Sequence, residues 1–145
     1  MAAEHTASAT WQGDLMGGSG TFSLGSGAAS DVAVSWRARA EDASAGTSPE
    51  ELIAAALASC FSMALSHGLS QGGTPPARLE TGATAAFEKT DAGFRLTGIA
   101  LRVRGQVEGI EDEAFRAAAE GARENCPVSK ALAGNVEISL DAALA

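Results

Sequence analysis

Between positions 52 and 65 almost every residue is apolar, and the polar exceptions are serines. Just ahead, Thr47 and Ser48 are N-cap candidates, Pro49 suits the first helical position, and Glu50 and Glu51 load the first turn with negative charge. Gly72 and Gly73 stop the pattern. It predicts a helix over 49–70, and a helix apolar on all sides belongs inside a protein. A second helix is predicted over 109–125, where Phe115, Ala118, Ala119 and Ala122 form a stripe and Pro127 ends it.

The remaining pattern predicts strands. Residues 6–12 and 21–24 flank a glycine-rich turn. Over 32–39, Val32, Val34 and Trp36 share one face while Arg37 and Arg39 take the other, followed by a loop over 40–46. Residues 79–89 and 94–107 flank Thr90-Asp91-Ala92-Gly93, a hairpin turn, and the parity slips near Gly98 as a bulge would make it. A short turn over 128–132 and a strand over 136–140 close the chain. Three strands, a helix, two strands, a helix and a strand make one α+β domain over 1–145.

Composition sharpens this picture. The chain is rich in small apolar residues, poor in aromatics and without tyrosine, so the core leans on Leu, Ile, Val and a few Phe and Trp, aided by a second subunit. A formal net charge of −8 argues against nucleic acid and an anionic membrane surface as partners. No signal segment opens the chain, and the 52–65 run is shorter than the roughly 20 residues of a membrane span. The expectation is a soluble, cytoplasmic protein, where two cysteines are more often reactive or merely buried than a permanent staple.

Those two cysteines carry the chemistry. Cys60 lies mid-helix among Ala56, Leu57, Met63 and Ala64, a setting that by itself makes a thiol inert. Cys126 precedes Pro127, which biases it out of helical geometry at a helix end. Two such thiols in a reducing compartment suggest a transient disulfide, one attacking and one resolving. A thiolate in an apolar pocket needs a cation, for which Arg37 and Arg39 are candidates, with Glu50 or Glu51 to grip the guanidinium. Glu50 and Cys60, ten residues apart on one helix, are separated by about 15 Å. A shared site then calls for a second copy of the helix running antiparallel in a dimer. His67 is too far from Cys60 to share a metal, no phosphate loop precedes a helix, and no serine sits in a nucleophile elbow.

Three stretches bring a family into view. Thr47-Ser48-Pro49-Glu50-Glu51-Leu52, Ala58-Ser59-Cys60-Phe61-Ser62-Met63-Ala64-Leu65 and Asn125-Cys126-Pro127-Val128-Ser129 resemble the OsmC/Ohr family. Trp11-Gln12-Gly13-Asp14 and Asp91-Ala92-Gly93-Phe94 resemble its OsmC branch. The resemblance implies an α+β fold with an antiparallel sheet and a long buried central helix, in an intertwined homodimer with two interfacial sites. It implies a peroxidase for organic hydroperoxides, in which Cys60 attacks, Cys126 resolves, and Glu50 orients an arginine. Arg39 fits that arginine best, and a loop about one residue longer keeps Arg37 open. Leu57 stands where many OsmC-like sequences carry a His. The implied reductant is an external dithiol of lipoyl type or a small thiol, with no metal or bound organic cofactor. Leu57, Phe61, Met63 and Met16 are the expected apolar lining. The alternative from another class is a redox-sensing or small-ligand-binding module without turnover.

Overall fold

The computed structural model describes all 145 residues. They group into two compact units, Met1–Leu52 and Ile53–Ala145.

In the first unit, β1 (Ala7–Gln12), β2 (Ser19–Leu24) and β3 (Val32–Val34) form an antiparallel meander in that order. The strand expected over 32–39 stops at Val34, and a single π-helical turn spans Arg37–Glu41. The Ser35 hydroxyl accepts a hydrogen bond from Ala38 N–H at 3.2 Å, and its carbonyl accepts from Arg39 N–H at 3.2 Å. Such local bonds compete with a sheet ladder and win where alternation alone reads strand. Both arginines therefore sit in a helical turn. A 3₁₀ turn, Ala43–Ala45, follows within the expected loop, capped by Asp42, whose carboxylate accepts from Ser44 N–H.

α1 (Pro49–Gln71) begins as the sequence suggests. Ser48 Oγ accepts from Glu51 N–H at 3.1 Å, and Thr47 Oγ1 donates to Glu51 Oε1 at 2.8 Å. A cap of this kind contributes about 1 kcal/mol. By length and composition α1 is apolar enough to cross a membrane, a test the shorter 52–65 run did not meet. Buried core helices meet it too, and the Leu57, Phe61, Leu65, Leu69 edge of α1 is buried in protein.

The second unit holds the main core. β4 (Arg78–Thr90) and β5 (Gly93–Gln106) form the expected hairpin around Asp91 and Ala92. Ala86 pairs with Gly98 and Phe87 with Leu96, so Thr97 is the extra residue of a bulge beside Gly98. β6 (Glu137–Leu144) joins β5 in parallel, which makes an otherwise antiparallel sheet mixed. A parallel return needs a long crossover, supplied by α2 (Asp112–Asn125) and α3 (Pro127–Leu132). The turn expected over 128–132 is this short helix, which Pro127 opens as well as ending α2. Ile99, Leu101 and Val103 of β5 face the α1 edge and Phe115, Ala119 and Ala122 of α2. Each large side chain fully buried there stabilises by about 1.5–3 kcal/mol. The Phe115 ring lies 2.6 Å from where a Cβ on Gly105 would stand, so only glycine fits at that point of β5.

α1 departs from expectation in one respect. Its core edge is buried, but Leu52, Ala55, Ala56, Ser59 and Met63 line a second edge that is exposed in the single chain, Leu52 at 37% and Met63 at 74%. Their spacing places them on one helical face.

Candidate active site

Each unit contributes one chemical cluster. In the first, the π-helical turn presents Arg39 to Glu50 in the first turn of α1. Arg39 Nε donates to Glu50 Oε1 and Oε2 at 3.1 Å each, and Nη2 donates to Oε1 at 2.7 Å. This is a two-pronged, charge-assisted grip. Glu50 is only 6% exposed, while the Arg39 side chain is 35% exposed. The two arginines open at the sequence level thus part company, since Arg37 pairs with Asp42 on the surface. Glu51 serves the helix cap instead of either arginine.

Beside Arg39 lies a cleft of about 310 Å³ walled by Trp11, Leu15, Val34, Ser35, Trp36 and Pro49. It is largely apolar with a charged residue at its wall, the usual make-up of a small-molecule site. The apolar residues expected at the lining lie elsewhere. Leu57 and Phe61 are fully buried in the second unit's core and cannot line an opening, and Met16 and Met63 point into solvent. Val34 and Trp36 share a face in the sequence pattern, but that pattern brings neither Trp11 nor Leu15 to the wall.

In the second unit, the free thiols of Cys60 and Cys126 come together. Cys60 is half-buried on α1. Burial pushes its thiol up most; the Val128 backbone N–H, donating to the sulfur, opposes this, and the Cys126 side chain pushes it up further. Cys126 is fully buried between α2 and α3 as the end cap of one and the start cap of the other. Its Sγ–H donates to Ser129 Oγ at 3.1 Å, and its Sγ accepts from Ser129 N–H at 3.4 Å. Pro127 has no N–H to satisfy, and the next two amides of α3 both point at sulfur. In the sequence, Val128 and Ser129 stand out only as part of the motif around Cys126.

Chemically, the second cluster is a pair of neighbouring free thiols. The first is a fixed guanidinium next to an apolar cleft.

A profile of the family described as OsmC-like protein matches residues 40–141. The peroxiredoxin OsmC of Escherichia coli (strain K12) is 43% identical over 133 residues, 92% of this chain and 91% of that protein. The organic hydroperoxide resistance protein OhrA of Bacillus subtilis (strain 168) is 35% identical over 117 residues, 78% of this chain and 79% of that one. Among solved structures, an organic hydroperoxide resistance protein OsmC from Legionella pneumophila matches with a TM-score of 0.75 at 25% identity, over 98% of this chain and 99% of that chain.

Proposed function

The chain belongs to the OsmC-like family, and from that premise we propose that it is a thiol-dependent peroxidase for organic hydroperoxides, acting more weakly on hydrogen peroxide. The observation that carries this is the meeting of two free thiols, the half-buried Cys60 and the buried Cys126, in one cluster. The cycle starts when the Cys60 thiolate attacks the distal peroxide oxygen. The O–O bond breaks, an alcohol leaves, and Cys60 becomes a sulfenic acid. Cys126 displaces that oxygen as water and forms a disulfide. An external dithiol, of lipoyl type or a small thiol, reduces the pair again. The cycle uses side chains alone and suits a reducing compartment such as the cytoplasm.

The thiolate is the difficult part, because burial opposes it. We place the missing cation on a second subunit. Two α1 helices running antiparallel through their Leu52, Ala55, Ala56, Ser59 and Met63 faces bring the partner subunit's Arg39 to Cys60, held by the partner's Glu50. The partner's Trp11, Leu15 and Trp36 then receive the organic tail of the peroxide. An interface of small residues allows close helix approach, and the exposed apolar face supports it.

Cys60→Ser should abolish peroxide consumption with excess dithiol, and retained turnover would refute the role. Cys126→Ser should still form one sulfenic acid per chain but no internal disulfide, as read by intact mass. A redox sensor would instead oxidise once and fail to turn over when dithiol is supplied.

A further inference from the structure

The geometry points to Ser129 as a positioning residue for disulfide closure, an assignment that rests on Cys126 being the resolving thiol. Ser129 is 4% exposed, so its hydroxyl has no competing bulk water. It holds the Cys126 sulfur twice: Oγ accepts the S–H at 3.1 Å, and the backbone N–H donates to Sγ at 3.4 Å. Holding a sulfur from two directions selects one side-chain rotamer. With the S–H turned toward Ser129, the sulfur lone pairs point elsewhere, and the same side chain already engages Cys60.

In the closing step a lone pair on the Cys126 sulfur forms the S–S bond to Cys60 as the S–O bond of the sulfenic acid breaks. The oxygen leaves with its own hydrogen and the proton lost by Cys126, as water. The Cys126 sulfur is oxidised as the Cys60 sulfur is reduced, so no further reactant is needed. Ser129 acts through the Cys126 sulfur. It sets where the thiol proton sits and which way the attacking pair faces. Without the hydroxyl, the thiol samples other rotamers and closure slows while the first attack does not.

The test is rapid mixing of reduced, full-length protein with one equivalent of cumene hydroperoxide. Samples are quenched at intervals into dimedone plus an alkylating agent and weighed intact. Wild-type protein should pass to the disulfide with little dimedone adduct. Ser129→Ala should consume peroxide at the wild-type rate yet close about tenfold more slowly, so that adduct accumulates. Ser129→Thr, which keeps the hydroxyl, should restore the wild-type partition. A purely structural role would slow both phases together. Disulfide closure at the wild-type rate in the alanine variant overturns the assignment, as does adduct accumulating in the threonine variant. Wild-type protein that never forms the disulfide overturns the resolving role of Cys126 as well, which tells the two failures apart.

Discussion

At the scale of single residues, opposing influences meet on Cys60. Burial makes its thiol harder to ionise, and one backbone N–H is the only group acting the other way. A folded-state value raised above the unfolded one contributes stability that is complete below the unfolded thiol range. That stability drains away as pH rises through the higher folded value. Arg39→Met tests whether the guanidinium proposed to come from the partner subunit opposes this rise in the thiol's folded-state value. Thiolate absorbance near 240 nm should titrate at lower pH in wild-type protein than in Arg39→Met, and equal titration would remove the arginine from the mechanism. Glu50→Gln tests the same link at its other end. The guanidinium loses its charged clamp, and kcat/KM for cumene hydroperoxide should fall about a hundredfold.

Elements explain what was legible in the sequence and what was not. Thr47, Ser48 and the Gly73 stop announce α1 because the Ser48 hydroxyl satisfies the orphan Glu51 amide, Thr47 holds the Glu51 carboxylate, and Gly73 tolerates a left-handed backbone, with φ of +86°. The hairpin and its bulge were readable from turn chemistry and a slip of parity. The end of β3 was not, because a serine hydroxyl turning the backbone leaves no trace in hydrophobic alternation. α3 was missed for a related reason: Pro127 ends one helix and begins another, and only the cap geometry of Cys126 tells the two roles apart. Of the four residues proposed for the reaction, the two cysteines stand out by type, whereas Arg39 and Glu50 share their type with Arg37 and Glu51 close by. The cleft wall does not, since Trp11, Leu15 and Trp36 converge through pairing of β1 with β2 and of β2 with β3. The exposed face of α1 yields its own prediction. Met63→Asp removes nothing from the core and should convert a dimer into monomers, seen by sedimentation, with loss of peroxidase activity. A wild-type protein already monomeric at micromolar concentration would dismiss the paired-helix arrangement.

For the whole molecule, stability is distributed unevenly. The main buried cluster runs from Leu57 to Val136 and lies entirely in the second unit. The first unit has a three-stranded sheet whose β1 is exposed along its length. Amide exchange should therefore be slowest in β5, flanked by β4 and β6, and fastest in β1. Protection of β1 should rise with protein concentration if association covers it. Uniform protection across both units would contradict this unevenness.

Glu50 and Cys60 are ten residues apart along α1. In a two-fold assembly this splits every working centre between chains, and it permits genetic-style complementation in a test tube. Arg39→Met and Cys60→Ser proteins, each dead alone, should regain about a quarter of normal turnover when unfolded together and refolded as a mixture, because half the pairs are hybrids with one intact centre each.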